Sequence, residues 1–437
     1  MSSVPQLPAV LRTVLTTTAD TAARATGFVQ RRSKLTGGHF VQTLLFGWLA
    51  NPTASLTDLA QMAAVLGVPI SPQGLAQRFS AAAAACLQQV LQHAAQQALA
   101  GAPAAIPLLQ RFPAVMVRDS SIIMLPAALS ALWPGCGGRT PQSAPAALKL
   151  QVQLDLGGGG LDGPWLQAGR TQDRSSPHQT QSLPPGTLRI ADLGFFSLGM
   201  LATVDHAGGY WLSRLQAQIV VQDPDGTRWD LLARLQAQTT PTAEYAVGLG
   251  TRERLPARLL VVRVPQEVAD QRRRHLREAN RGQAVSARRL ALAAWTLVVT
   301  NVPPERLSLP EALVLLRARW QIELLFKLWK QHGRVDEWRS AQPWRILCEV
   351  YAKLLGGLVQ HWCLRGVWAR PDRSLVQAAR TVQRYAPLLA LAYAGRLAWP
   401  TVLALLDHAL AHAGRLNPRR ARPNTYQLLL EPRLGYP

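Results

Sequence analysis

The segment RARWQIELLFKLWK, residues 317–330, constrains the fold most strongly, because as a helix it is apolar around almost its whole circumference. Such a helix has to pack on nearly every side. At about 100° per residue, one narrow charged stripe remains, formed by Arg319, Glu323, Lys327 and Lys330. The stripe is either an i,i+4 ion-pair ladder or an active-site wall, and its narrowness favours the wall.

The chain is strongly basic, with 47 Lys and Arg against 25 Asp and Glu and a net charge of +22. Such a charge attracts polyanions, so nucleic acid is the first partner to consider and an anionic membrane surface the second. No charge-free apolar run is long enough for a membrane span. The four cysteines form no CxxC pair, which disfavours a zinc knuckle. With no signal peptide visible, we expect a cytoplasmic protein.

The two ends of the chain are predicted to be helical. Residues 1–105 are rich in Ala and Leu, and residues 341–413 have the same character before a basic, irregular tail. In the N-terminal region, Ser55 and Ser71 are placed to cap two helices, and Gly67 is placed to end the first. This helix–turn–helix pattern indicates either a motif that places a recognition helix in a DNA groove or a plain helical hairpin.

The middle of the chain carries the strand patterns. Residues 148–156 alternate strictly between apolar and polar side chains, which predicts a half-buried strand before the glycines 157–160. The basic stretch 271–290 is either a solvated helix face or a DNA backbone contact, and the total charge favours the contact. One long helix is predicted from Ser308 to about residue 332. Further strands are predicted at 114–125, where Asp119 interrupts the strand pattern, and at 188–192, 210–215, 218–223, 227–238, 257–265 and 295–302.

Two carboxylates stand out because acidic residues are scarce in this region. Asp119 and Asp192 each follow a short apolar strand and precede a small residue or a turn. Carboxylates inside a sheet repel one another and persist when a cation neutralises them. Two or three such ligands suit Mg²⁺ or Mn²⁺, and paired ions commonly serve in-line phosphoryl displacement. Asp155, Asp162 and Asp173 are assigned to turns or caps instead.

The segment RWQIELLFKLWK resembles the signature of DDE transposases of bacterial insertion sequences, in the insertion-sequence-four family. Their pattern places Tyr, Arg, Glu and Lys at fixed spacings. Here three residues separate Arg319 from Glu323 and six separate Glu323 from Lys330, as in the family, while Leu316 stands at the Tyr position. The blocks VRDSS, IADLGFFSL and GGYWLSRL resemble the two Asp regions and the strand after them. Residues 40–79 resemble the N-terminal helical region that some members carry, so the resemblance covers most of the chain.

The resemblance implies an α/β fold with a ribonuclease-H-like catalytic core at 106–340 and a β-rich insertion at about 216–300. A helical DNA-binding region would occupy 1–105. A C-terminal helical region at 341–437 would carry the basic tail and a dimer contact.

The resemblance also implies the metal site. Asp119, Asp192 and Glu323 would hold two Mg²⁺ ions, for which Mn²⁺ can substitute. One ion would activate water or a 3′-hydroxyl, and the other would stabilise the leaving oxygen.

Other residues would contact the DNA. Arg319 and Lys330 would hold phosphates beside the cut, with Arg214 as a further phosphate contact. Lys327 either contacts DNA or pairs with Glu323. Trp295, 28 residues before the Glu, either stacks on a base flipped from the DNA end or is a core residue.

The function implied is that of a DNA transposase that acts on double-stranded DNA. It would bind the terminal inverted repeats, pair two ends as a dimer, free the 3′-hydroxyls through hairpin ends, and join them to target DNA. It would be associated with the nucleoid when bound. Three alternatives stay open: a catalytically impaired DNA-binding derivative, for which Leu316 leaves room, a nuclease of the same fold without joining activity, and a membrane-surface protein.

Overall fold

The computed structural model describes residues 6–432 except 32, 98, 100, 138–143, 177, 179–182, 281–282, 369, 371 and 420–422. The described part is a mixed α/β structure. Its α-helices are α1 Leu7–Arg12, α2 Ala19–Ala25, α3 Gly37–Ala50, α4 Leu56–Val65, α5 Pro72–Ala76, α6 Ala81–Ala94, α7 Pro107–Gln110, α8 Leu198–His206, α9 Leu231–Gln236, α10 Gln266–Ala279, α11 Ala287–Leu292, α12 Leu309–Ala318, α13 Gln321–Lys327, α14 Pro343–Cys363, α15 Arg365–Trp368, α16 Leu375–Tyr393, α17 Trp399–Ala411 and α18 Thr425–Leu430.

The strands and the shorter helical turns complete the described elements. The strands are β1 Val115–Leu125, β2 Ala146–Asp155, β3 Leu161–Ala168, β4 Leu188–Ala191, β5 Tyr210–Arg214, β6 Val221–Gln222, β7 Thr242–Leu249, β8 Leu255–Arg263 and β9 Trp295–Thr300. Two π-helical stretches are Thr13–Thr18 and Leu328–His332, and 3₁₀ turns are Ala127–Leu129, Asp173–Ser175 and Leu193–Phe195.

The chain forms two compact units, and neither is a single continuous segment. The first consists of Met1–Ala105, Asp119–Thr171 and Gln321–Arg420, and the second of Ile106–Arg118, Gln172–Trp320 and Ala421–Pro437. The segment 106–340, expected to be the catalytic domain, therefore contributes to both units. Whether 1–105, 106–340 and 341–437 act as separate functional domains stays a prediction.

The first unit is organised around α14, which is buried almost throughout from Ile346 to Cys363 because α3, α6 and α16 pack against it. The predicted helical character of both chain ends is thereby confirmed. In this unit the strand order is β3–β2–β1. Within the described residues, no helix is long and apolar enough to cross a bilayer.

The predicted helix–turn–helix caps are confirmed. The Ser55 hydroxyl accepts the Asp58 N–H, and the Asp58 carboxylate accepts the Ser55 N–H, which closes a capping box at the start of α4. Gly67 follows α4 with φ +86°, and the Ser71 hydroxyl accepts the Gly74 N–H at the start of α5. Helix α5 has only five residues, so it is much shorter than a typical recognition helix.

Strand β2 is buried on both faces, so the prediction of a half-buried strand is wrong. Lys149, Gln151 and Gln153 are 6%, 0% and 0% exposed. The polar side chains can be buried because they reach hydrogen-bond partners. The Lys149 ammonium donates to the Thr171 carbonyl at 2.5 Å, and the Gln153 amide donates to the Asp162 carboxylate at 3.3 Å.

The glycines after β2 form the predicted turn. Asp155 accepts the N–H groups of Gly157 and Gly158 at 3.0 and 2.7 Å, which confirms its assignment to a turn. His361 on α14 donates from Nε2 to the Gly159 carbonyl at 2.8 Å. Because His361 is buried, its pKa is lowered to about 4 and its ring is neutral. Helix α14 therefore holds the β2–β3 turn in place.

The second unit contains a longer sheet, with strand order β1–β4–β5–β9–β8–β7–β6. Strands β1, β4 and β5 are parallel, and the remaining pairs are antiparallel. Between β5 and β9 the chain forms β6 to β8 and α9 to α11. The basic stretch 271–290 covers most of α10, the connection after it and the start of α11, and positions 281–282 within that connection are outside the described residues.

Three predictions in this unit are wrong in detail. Residues 227–238 contain α9 rather than a strand, because the Asp230 carboxylate accepts the N–H groups of Leu232 and Ala233 and caps a helix. The strand predicted at 218–223 is reduced to Val221–Gln222, and β7 was not predicted. The basic tail predicted to be irregular, 415–427, overlaps α18 in its last three residues; the Asn424 side chain caps this helix, which packs on α12.

Candidate active site

Asp119 and Asp192 follow the last paired residues of two neighbouring parallel strands. Strands β1 and β4 run in register up to Arg118 opposite Ala191, so the next residue on each is an aspartate. Asp192 begins a 3₁₀ turn directly after β4, as expected. The expectation that Asp119 ends a strand is wrong. Strand β1 continues to Leu125, because it remains the neighbour of β2 after its pairing with β4 has ended.

The second unit places two arginines beside Asp192. The guanidinium of Arg319 lies 3.7 Å from the Asp192 carboxylate, and the side chains are 14% and 50% exposed, respectively. Burial lowers the pKa of Arg214, at the end of β5; the positive charge of Arg319 lowers it further, while Asp192 opposes this shift. Arg319 therefore lies next to Asp192, and Arg214 is close enough for both to influence its charge. Guanidinium groups match phosphate oxygens well.

The helix predicted from Ser308 to residue 332 is interrupted, so that prediction is wrong in this detail. The Arg319 N–H still bonds to the carbonyl four residues before it, whereas the Trp320 N–H bonds to Arg317, only three residues back. This tighter turn separates α12 from α13. After Lys327 the chain continues as a π-helix. The predicted charged stripe is consequently not the face of one regular helix.

The first unit holds Glu323 and the two lysines. Glu323 lies half-buried in the first turn of α13, and Lys327 is exposed at its last residue. The ammonium of Lys330 donates to the Ile122 carbonyl of β1 at 2.8 Å. Burial lowers the pKa of Lys330, and Asp336 opposes that shift. This contact fixes the π-helical turn against β1.

Two positions singled out by the resemblance are buried. Leu316, at the expected Tyr position, lies in α12 and is 7% exposed. Trp295 begins β9 and belongs to the apolar core of the second unit at 8% exposure. The guanidinium of Arg263 lies 5.7 Å from the centre of its ring. The role of Trp295 in base stacking stays a prediction.

Sequence reasoning missed Trp320. Its side chain is 55% exposed at the turn between α12 and α13, directly after Arg319. The sequence does indicate this position, because on an ideal helix Trp320 lies about 20° from Lys327 and therefore beside the charged stripe.

The structure brings some predicted site residues together within each unit. Asp192, Arg214 and Arg319 lie close to one another in the second unit, and Lys330 contacts β1 three residues after Asp119 in the first. Across the residues the structure describes, no three His, Cys, Asp or Glu side chains form a group that could hold a metal ion. The convergence of Asp119, Asp192 and Glu323 therefore stays a prediction.

Comparisons with known proteins point to one family. The model of the family described as "Transposase DDE domain" matches residues 141–356, a range that contains Asp192 and Glu323 and begins after Asp119. The transposase for insertion sequence element IS231B of Bacillus thuringiensis subsp. berliner is 27% identical over 359 residues, 76% of this chain and 74% of its own. The transposase for insertion sequence element IS1151 of Clostridium perfringens is 22% identical, over 77% of this chain and 76% of its own.

Proposed function

Since the chain belongs to the DDE transposases of bacterial insertion sequences and is a DNA transposase, we propose that it binds the terminal inverted repeats of its own element. It cleaves the element's ends and joins the freed 3′-hydroxyls to target DNA by two-metal phosphoryl transfer. The DDE domain of this family is ribonuclease-H-like, and the mixed α/β architecture agrees with that fold. We assign the segment at about 216–300 to the β-rich insertion.

The parallel register of β1 and β4 carries this proposal. It gives Asp119 and Asp192 the same position relative to the last pair of the two strands. Adjacent carboxylates repel one another, so such a pair suits a site where a cation binds. Glu323, in the first turn of α13, supplies the third carboxylate in the proposal.

Members of this family generally use divalent metal ions. In the proposal Asp119, Asp192 and Glu323 hold two Mg²⁺ ions, which Mn²⁺ can replace. The donors fit, because all three are carboxylates, the ligands that these ions prefer, and the Asp192 side chain is half exposed. When bound, the ions would activate the attacking water or 3′-hydroxyl and neutralise the leaving oxygen.

Arg319 and Arg214 hold the phosphate beside the scissile bond in this proposal. The Arg319 guanidinium already lies 3.7 Å from the Asp192 carboxylate, and both groups influence the charge of Arg214. Arg319 would exchange the Asp192 carboxylate for the phosphate when that carboxylate holds a cation. Lys327 is exposed and contacts DNA, whereas Lys330 has to exchange its bond to the Ile122 carbonyl for a phosphate.

The exposures of two tryptophans predict opposite mutant phenotypes. Trp320→Ala should weaken end binding by about 1–3 kcal/mol, because an exposed indole can stack on a base, and should leave the melting temperature unchanged. Trp295→Ala should lower the free energy of unfolding by about 3–5 kcal/mol, because the ring is in the core. Binding isotherms and denaturation of both variants measure this. A Trp295→Ala protein of normal stability that no longer binds ends would identify Trp295 as the stacking residue instead.

The proposed activity is tested with the purified full-length chain and a duplex that carries one terminal repeat of its element. Wild type should nick the duplex at the repeat in Mg²⁺ and should join a pre-cut end to a target plasmid. Cleavage without joining would identify a nuclease of the same fold. Binding with neither reaction, in Mg²⁺ or Mn²⁺, would support the alternative of a catalytically impaired DNA-binding derivative.

The pairing of two ends requires two copies of the chain on DNA. We propose that the C-terminal helices supply the dimer contact and that the DNA-bound protein is associated with the nucleoid. The net charge of +22 supports binding to long DNA, because it attracts the phosphate backbone irrespective of sequence.

A further inference from the structure

We propose that a cleft in the N-terminal helical region binds phosphate groups of the DNA backbone. The proposal rests on the DNA-binding function above and assigns a phosphate site outside the predicted catalytic residues. The cleft has a volume of about 470 Å³ and lies between α2, the loop after it and the start of α3. Its lining is mostly polar: Asp20, Arg24, Val29, Gln30, Arg31, Ser33, Thr36 and Gly37.

The walls of the cleft are fixed by close packing. A Cβ at Gly37 would come within 2.3 Å of the Ala23 side chain, so the start of α3 approaches α2 more closely than any other residue would allow. The loop is anchored by Phe28, whose ring lies 4.7 Å from that of Phe40 on α3. The cleft is therefore present without a ligand, which reduces the entropic cost of binding.

The charges in the cleft favour an anion. Arg24 and Arg31 are both exposed, and neither forms an ion pair with another of the described residues. The carboxylate of Asp20 is engaged, because it accepts the Gly38 N–H at 2.7 Å and thus satisfies the start of α3. Two arginines against one aspartate give the lining a net charge of +1.

Hydroxyl groups add neutral donors to the arginines. The Thr36 hydroxyl accepts the His39 N–H, and the Ser33 hydroxyl accepts the Leu35 N–H. Each hydroxyl oxygen is thus oriented by the backbone and retains a proton to donate. Two guanidinium groups and two hydroxyls around an open cleft match the tetrahedral oxygens of a phosphodiester.

The test compares salt-dependent DNA binding of the full chain and a double variant. Arg24→Gln with Arg31→Gln should raise the Kd for a terminal-repeat duplex about tenfold near 0.1 M salt. The slope of log Kd against log salt should fall by about two, since two phosphate contacts are lost. Arg12→Gln with Arg396→Gln removes the same charge from exposed positions that do not line the cleft, and should leave the slope within half a unit of wild type.

A variant that removes a negative charge from the cleft completes the test. Asp20→Asn keeps an oxygen that can accept the Gly38 N–H and removes the only negative charge of the lining, so it should tighten binding. If the Arg24 and Arg31 double variant binds with the wild-type slope while the wild type cleaves ends, the cleft proposal is overturned and the transposase function stands. An equal loss of slope in the Arg12 and Arg396 control would also overturn it. Failure of the wild type to bind or cut DNA would reject the proposed function itself.

Discussion

Asp192→Asn should reduce Mg²⁺-dependent cleavage of the element's ends at least about 10³-fold, because the amide removes a negative charge from the proposed metal site. End binding should stay within a few-fold of wild type or become tighter, since the lost charge lies beside two arginines. Single-turnover cleavage and a binding isotherm separate the two quantities. Asp225→Asn is the matched control, because Asp225 is exposed in a turn where its carboxylate accepts the Thr227 N–H.

The corresponding amide substitutions at the other two proposed metal ligands extend the cleavage test. Asp119→Asn and Glu323→Gln should show the same split between lost cleavage and retained binding. Asp119 is the more informative of the two, because it lies outside the range matched by the transposase family and is supported by the strand register. Cleavage near the wild-type rate in Asp119→Asn would remove it from the metal site and leave Asp192 and Glu323 untouched.

Features decided by neighbouring residues could be predicted from the sequence. Ser55, Gly67 and Ser71 delimit α4 and α5 as expected, because capping and a positive φ depend on the residue type at one position. Strand β4 and the turn after it, which place Asp192, could also be predicted, because a short apolar run followed by a glycine is a local pattern. The spacing of Arg319, Glu323 and Lys330, taken together with the two Asp blocks in the same order, pointed to the transposase family that the comparisons also indicate.

Features decided by distant contacts could not be predicted. The alternation in β2 suggested a solvated polar face, but the Lys149 side chain is buried because the Thr171 carbonyl, 22 residues later, accepts its hydrogen bond. The regular helix expected through 308–332 breaks at Trp320, where the backbone changes to a tighter turn. Both errors concern how the chain packs on itself, which hydrophobic periodicity does not specify.

Because the predicted long helix is interrupted, contacts from outside it hold the turn that carries Lys330. Lys330 lies in the π-helical turn, so its position depends on what holds the residues that follow it. Lys353 on α14 donates to the carbonyls of Arg334 and Glu337 at 3.0 and 2.8 Å. The same ammonium forms a buried ion pair with Glu349 at 2.7 Å. Helix α14 therefore fixes the chain just after a residue proposed to bind phosphate.

Lys353→Met should consequently lower the free energy of unfolding by about 3–5 kcal/mol, because it leaves the buried Glu349 carboxylate without its partner. The side chains of Lys353 and Glu349 are only 2% and 5% exposed, so water cannot replace the lost contact. The double variant Glu349→Leu with Lys353→Met removes both charges and should recover much of the loss, as chemical denaturation of the full chain would measure. If the double variant is as unstable as the single one, the bonds to Arg334 and Glu337 carry the stabilisation instead of the ion pair.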